Sequence, residues 1–216
     1  MWRGVFFDLD GTLLDTALEL VNAANLLRCQ RNMDVLPVSA LKPFVSDGVQ
    51  GLIRAALSIG PEHKEYEKLR SDFLAYYERQ LCKNTTLFPG VSSLLTDLEH
   101  HGYIWGIVTN KFERYALPLI KHFQLKPHVT ICGDTTAYIK PHPGPLLRAI
   151  ETLKLTPDQC IYIGDDARDI QAGKAAEMKT VGVCYGYGAK NALIASQADF
   201  WVDSAKDILK ILFRVS

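Results

Sequence analysis

The chain has 216 residues, with 24 Lys+Arg against 24 Asp+Glu, so its formal net charge is zero. Hydrophobic residues make up 48% and charged residues 22%, and a chain of this length buries about 70% of its unfolded surface, enough for a core without staples. The even charge excludes the broad basic surface that nucleic acid or an anionic membrane requires, and no apolar run is long enough to span a bilayer.

Val5-Phe6-Phe7 reads as a buried strand that stops in the polar turn Asp8-Leu9-Asp10-Gly11-Thr12. From Asp15 to Arg31 the apolar spacing is helical, until Pro37 and Pro43 break the pattern. A second helix follows Asp47 and stops at Gly60-Pro61. A third, over residues 62–81, carries Tyr66, Leu69, Phe73 and Tyr77 on one side. No strand is predicted between residues 17 and 84, so this block reads as a helical bundle inserted after the first strand.

Beyond it, strand and helix alternate. Helices are predicted over Gly90–His101, Phe112–Phe123 (with a kink at Pro118), Gly144–Leu153, Asp169–Met178 and Ala205–Phe213. Strands are predicted over Tyr103–Val108, Val129–Cys132, Cys160–Ile163, Thr180–Cys184 and Phe200–Val202. This rhythm predicts an α/β fold: a Rossmann-like parallel sheet with helices on both faces, plus the inserted all-helical domain. The domains are then 1–16 with 85–216, and 17–84. In such sheets ligands lie beyond the carboxyl ends of the strands, which directs attention to the residues after Phe7, Val108 and Ile163.

Polar residues cluster at those positions. Asp8 and Asp10, one residue apart, point to the same side of an extended backbone. Asp165-Asp166 ends another strand and Asp169 opens the next helix, close enough to converge with the first pair. A single aspartate here is ordinarily a cap or turn residue, but a set at several strand ends is not. Carboxylates without neighbouring His or Cys favour a hard divalent cation, Mg²⁺ before Zn²⁺. Thr109 and Asn110 end a strand where a hydroxyl and amides can hold phosphate oxygens. Lys140 lies in the stiff segment Lys-Pro-His-Pro-Gly-Pro and is a candidate point charge for phosphate. It is the single cation read into the motifs. His142 in that segment has no evident partner and reads as loop chemistry. Cys29, Cys82, Cys132, Cys160 and Cys184 are widely spread, without metal-ligand spacing or a disulfide framework. With a short N-terminal apolar stretch that does not read as a signal peptide, they predict free thiols in a cytoplasmic protein.

Asp8-Leu9-Asp10-Gly11-Thr12-Leu13, Thr109-Asn110, Lys140-Pro141 and Gly164-Asp165-Asp166-Ala167-Arg168-Asp169 resemble, in order and approximate spacing, the four motifs of the haloacid-dehalogenase-like phosphatases. The resemblance spans nearly the whole chain. Leu87-Phe88-Pro89-Gly90-Val91 through Trp105-Gly106-Ile107-Val108-Thr109-Asn110-Lys111 is similar to the phosphoglycolate-phosphatase branch, and within it to the N-acetylmuramic acid 6-phosphate phosphatases. The resemblance implies that 17–84 is a helical cap and that the activity is Mg²⁺-dependent phosphomonoester hydrolysis through an aspartyl phosphate. Its substrate would be a small phosphorylated acid or sugar, of the 2-phosphoglycolate or N-acetylmuramic acid 6-phosphate type, acted on by a monomer or dimer.

It implies Asp8 as nucleophile and Asp10 as acid and base. Asp8, the Asp10 carbonyl and Asp165 would bind metal, with Asp166 and Asp169 orienting them, and Thr109, Asn110 and Lys140 would hold the phosphoryl group. Substrate selection would fall to the cap, at Ser46, Gly48 and Arg54. The alternative within the superfamily is a phosphoglucomutase-like phosphomutase, for which Arg28, Arg31, Lys42 and Arg54 are cap cations able to hold a bisphosphate. A non-catalytic binding module predicts loss of Asp8 or Asp10, and both are present.

Overall fold

A computed structural model of the chain describes residues 2–188 and 190–214. Strand β1 (Gly4–Phe7) is buried throughout, as a central strand covered on both faces must be. The chain leaves it through β2 (Leu14–Asp15) and enters α1 (Ala17–Cys29), α2 (Val38–Leu41), α3 (Gly48–Leu57) and α4 (Tyr66–Gln80). It returns by β3 (Thr86–Leu87), which pairs with β2. Helices and strands then alternate through α5 (Val91–His100), β4 (Ile104–Val108), α6 (Glu113–His122), β5 (Val129–Ile131) and α7 (Gly144–Thr152). The chain closes with β6 (Cys160–Gly164), α8 (Ala167–Ala175), β7 (Lys179–Val183), α9 (Lys190–Ala195), β8 (Phe200–Val202) and α10 (Asp207–Arg214).

Six strands form one parallel sheet in the order β5-β4-β1-β6-β7-β8. The chain runs outward from β1 in both directions, so the strand order reverses at β1, the place where such sheets open a crevice at their carboxyl ends. The register is tight there: Phe7 lies opposite Ile107 on one side and Ile163 on the other. Successive side chains alternate between faces. Phe6 and Tyr162 pack with Leu146, Ala149 and Ile150 of α7 and Ala172 of α8, while Phe7 meets Trp105 edge-on at 6.4 Å between ring centroids.

Several elements depart from the sequence expectation for local reasons. The interval between Pro37 and Pro43 is helical, not broken: Pro37 sits at the N-cap of α2 and Pro43 at the start of a 3-10 turn over Lys42–Phe44. At these positions no intrahelical amide hydrogen is needed. Helix α4 starts at Tyr66 after a turn, whereas α6 runs through Pro118 as expected. Helix α8 begins at Ala167, two residues before Asp169. Helix α9 and the two-residue strands β2 and β3 are too short to leave a periodic signal.

The chain divides into two compact units, Met1–Leu14 with Leu87–Ser216, and Asp15–Thr86. In the second unit α1 packs against α3 and α4 around buried Leu27, Leu52, Ile53 and Phe73. Polar side chains fasten its loops. The Asn25 amide donates to the Leu36 carbonyl and accepts from the Leu36 N–H, both at 2.8 Å. Arg28 donates to the carbonyls of Asp34 and Ala56.

Glu19 in the first turn of α1 is buried, and its Oε1 accepts from the Asn84 and Thr85 N–H groups at 2.7 and 2.6 Å and from the Thr85 hydroxyl at 2.9 Å. One carboxylate oxygen therefore ties the start of α1 to the returning chain. Glu19→Ala leaves the buried Thr85 N–H and hydroxyl without this acceptor, and we expect it to lower the free energy of unfolding by about 2 kcal/mol. Urea denaturation measures this, and an unchanged midpoint would show the tie to be energetically idle.

Candidate active site

All the acids read from the strand ends lie in the first unit, and the register explains how they meet. Asp8 follows β1 directly, and its N–H donates to the Ile163 carbonyl at 2.9 Å, continuing the β1–β6 ladder by one bond. Asp165 follows β6, and Thr109 follows β4. One oxygen each of Asp8, Asp165 and Asp169 lie within 4.8 Å of one another.

At the centre is a buried cation. Lys140 is 3% exposed, and its ammonium lies 3.0 Å from Asp8 Oδ1 and 2.7 Å from Asp169 Oδ1. It also donates to the Val108 carbonyl at 3.1 Å and the Tyr162 hydroxyl at 2.8 Å. Burial alone pulls a lysine value down, but Asp169 and Asp8 outweigh it and hold Lys140 above its ordinary value. Asn110 fixes the backbone of this residue: its amide nitrogen donates to the Lys140 carbonyl at 2.9 Å and its oxygen accepts from the Lys140 N–H at 2.8 Å. Both ends of the Asn110 side chain are thus spent on aiming Lys140. The Thr109 hydroxyl accepts from the Lys111 N–H at 3.2 Å.

Asp165 is held by groups that sequence reading did not single out. Its Oδ2 accepts from the Tyr187 and Gly188 N–H groups at 2.7 and 3.2 Å, and its Oδ1 from the Thr12 hydroxyl at 3.3 Å. Tyr185 in the same loop donates to the Thr12 carbonyl at 3.0 Å. The loop after β7 therefore closes over Asp165, and the alternating glycines of Tyr185-Gly186-Tyr187-Gly188 are the signal that could have found it. Gly11, at φ +81°, makes room from the other side: a Cβ there would sit 2.2 Å from Asp165 Oδ2.

Asp166 and Asp169 form the capping box of α8. Asp166 accepts from the Arg168 N–H at 2.9 Å, and Asp169 Oδ2 accepts from the Asp166 N–H at 3.0 Å. The N-cap is thus Asp166, and Asp169, which the sequence places at the start of the helix, stands inside the carboxylate group beside Asp8 and Asp165. Burial works against the Asp166 carboxylate, but Arg168 outweighs it through its N–H and its guanidinium 2.8 Å away, holding the value below the usual range.

The Asp10 side chain is absent from that trio. Its Oδ2 lies 2.7 Å from the ammonium of Lys111, a side chain only 7% exposed. Lys140 is therefore not the single cation of the motifs; Lys111, directly after Thr109-Asn110, is a second. His142 stacks on Tyr138 at 3.9 Å between ring centroids and accepts from the Gly144 N–H at 3.0 Å, a loop-fastening role.

The three residues read as substrate contacts belong to the second unit. Ser46 lies in the turn before α3, Gly48 opens that helix at φ +65°, and Arg54 is exposed on it. Of the cations raised for a mutase, Arg28 is spent on carbonyls, Arg31 pairs with Glu65 at 2.7 Å, and Lys42 lies 3.7 Å from Asp15. All five cysteines are free. Among the described residues no helix is long and apolar enough to cross a membrane.

The sequence profile of haloacid dehalogenase-like hydrolases matches residues 5–183. The chain belongs to that family. It is 36% identical over 187 residues to an N-acetylmuramic acid 6-phosphate phosphatase of Pseudomonas putida, spanning 86% of this chain and 84% of that one. It is 41% identical over 190 residues to a phosphoglycolate phosphatase of Xanthomonas campestris pv. campestris, with the same coverage. The crystal structure of a predicted phosphoglycolate phosphatase from Haemophilus somnus 129pt superposes with a TM-score of 0.87 at 28% identity, covering 98% of both chains. This member of the family is thus a haloacid-dehalogenase-type phosphatase in fold and kinship, which accounts for the parallel sheet and the placement of its acids.

The donor set fits the divalent metal that hydrolases of this family generally use: three convergent carboxylates, without imidazole or thiolate, suit a hard cation. With these acids crowded together, burial first, then Asp169 and Asp10, push Asp8 from its ordinary 3.8 to about 6 against the pull of Lys140. Burial, Asp169 and Asp8 push Asp165 well above its ordinary value. A raised folded value means that the folded chain holds the proton more tightly than the unfolded chain. The stability contributed by Asp8 is therefore full below 3.8 and lost as pH rises through about 6. A cation that binds the ionised carboxylates reverses that loss. We expect millimolar Mg²⁺ to raise the thermal midpoint by several degrees at about pH 7.5 and much less at about pH 5. Equal shifts at both values would contradict the carboxylate site.

Proposed function

We propose that the chain hydrolyses a small phosphate monoester through an aspartyl phosphate on Asp8, with the Asp15–Thr86 unit as the cap that selects the substrate. The observation that carries this reading is the Asp8 carboxylate held 3.0 Å from the buried Lys140 ammonium at the carboxyl end of β1, beside Asp165 and Asp169. Asp8, Asp165 and the Asp10 carbonyl would hold Mg²⁺, with Asp169 next to them and Asp166 fixing the helix that carries Asp169. When bound, the metal neutralises charge on the phosphoryl oxygens and draws the nucleophile and phosphorus together.

The residues of the chain perform the remaining work. Lys140 and the Thr109 hydroxyl bind phosphoryl oxygens, joined by the Asn110 backbone N–H. An Asp8 oxygen attacks phosphorus, the bond to the leaving oxygen breaks, and Asp10 gives that oxygen a proton. Water then attacks the same phosphorus, Asp10 takes a proton from it, and phosphate departs from Asp8. The internal engagement of Arg28, Arg31 and Lys42 supports hydrolysis over a mutase, because those cations are already used within their own unit.

The relatives' activities suggest a substrate that combines a phosphate ester with a carboxylate, as both 2-phosphoglycolate and N-acetylmuramic acid 6-phosphate do. Ser46, Gly48 and the exposed Arg54 are the cap residues proposed to read it. The free thiols support a reducing, cytoplasmic setting.

Purified protein with Mg²⁺ is expected to release phosphate from both substrates, with kcat/KM separating them, and EDTA to stop the reaction. Asp8→Asn should reduce turnover by at least about 10³-fold. Activity surviving that change rules out Asp8 as nucleophile, and turnover that requires a bisphosphate and releases no phosphate would instead establish a mutase. Arg54→Ala should raise KM for the carboxylate-bearing substrates more than for a simple aryl phosphate, measured on the same preparations.

A further inference from the structure

We infer that Lys111 is a positioning residue for Asp10, holding the acid–base carboxyl in place for proton transfer to the leaving group. The inference rests on the phosphatase reading above and adds a residue and a role to it. The Lys111 ammonium lies 2.7 Å from Asp10 Oδ2, and the side chain is 7% exposed, so a long, flexible cation has been ordered and largely withdrawn from water to make this contact. Ordering such a side chain costs rotamer entropy before desolvation is counted.

Its backbone is fixed at both ends. The Lys111 N–H donates to the Thr109 hydroxyl at 3.2 Å, and its carbonyl accepts from the Gly133 N–H at 2.9 Å. The approach at Gly133 is close: a Cβ there would lie 2.2 Å from the Asn110 carbonyl oxygen. Lys111 thus starts from the loop after β4, braced against the chain after β5, and reaches across to the loop after β1.

The two cations divide the site. Lys140 contacts Asp8 and Asp169; Lys111 contacts Asp10. A nucleophile and an acid–base group two residues apart need different surroundings to perform different steps. Lys111 provides the second of these surroundings by anchoring Asp10 through Oδ2. It keeps its own proton throughout. In the first step the Asp8–phosphorus bond forms, the ester bond breaks, and the leaving oxygen takes the proton from Asp10. In the second, water gives its proton back to Asp10 while the Asp8–phosphorus bond breaks.

The leaving group provides the test. An alkyl alcohol needs a proton as it departs, whereas 4-nitrophenolate leaves without one. Because kcat/KM covers events only up to alcohol release, it isolates the first step from the later hydrolysis. We expect Lys111→Met to lower kcat/KM about 100-fold for an alkyl phosphate and no more than about 3-fold for 4-nitrophenyl phosphate. Asp10→Asn should show the same split, larger, and Lys111→Arg should recover alkyl-ester activity to within about tenfold of the parent.

Equal losses on the two esters, or no loss on either, would overturn the inference while leaving the phosphatase reading intact, provided that Asp10→Asn still separates them. If the parent releases phosphate from neither ester with Mg²⁺, or Asp10→Asn shows no split, the reading beneath it fails and this role with it. Lys111→Gln serves as a second neutral variant should the methionine fail to fold, and is held to the same split.

Discussion

The site is organised by one buried ammonium. Lys140 has almost no contact with water, so its charge must be balanced by groups brought to it. The fold supplies Asp8 and Asp169 as counter-charges and the Val108 carbonyl and Tyr162 hydroxyl as further acceptors. Asn110 clamps the backbone at the same residue. Removing the ammonium would leave these carboxylates facing one another with nothing positive between them. The interaction is therefore a condition for assembling the acids at one rim.

One cation does not neutralise three carboxylates, and the remainder defines what the site accepts. Burial, Asp169 and Asp10 push Asp8 up, and burial, Asp169 and Asp8 push Asp165 up, which is the cost of holding like charges together. Asp165 offsets part of it by accepting from the Tyr187 and Gly188 N–H groups, which favour its ionised form. A hard divalent cation held by these carboxylates would satisfy the remainder. Zero net charge for the whole chain thus coexists with a strongly polarised centre.

The strand order makes this arrangement possible. Because β1 lies between β4 and β6, the residues immediately past three neighbouring strands are brought together, with about 5 Å between adjacent strands. Asp8, Thr109 and Asp165 share one rim for that reason. Lys111 and Lys140 extend from flanking loops to separate targets, so that Asp8 and Asp10, only two positions apart, each have their own cation.

Much of this was legible in the sequence. Alternating strand and helix periodicity disclosed the α/β core and the helices of residues 17–84, and the motifs marked Asp8, Asp10, Thr109, Asn110, Lys140 and the acids after Cys160–Ile163 as candidates, which the fold places at the carboxyl ends of β1, β4 and β6 and the loops beside them. Both signals are local: hydrophobic spacing reports a buried face, and a polar cluster ending an apolar run reports a strand mouth. The sequence could not show how side chains at distant positions divide their bonds. That Asn110 spends its amide on Lys140, that Asp166 rather than Asp169 caps α8, that Tyr187 and Gly188 cover Asp165, and that Lys111 pairs with Asp10 are all outcomes of packing. The sequence by itself determined which residue types stand at the strand ends. Tertiary structure alone decided their partners, because an ion pair or hydrogen bond depends on distances set by strand order and loop closure, and spacing along the chain carries no record of either.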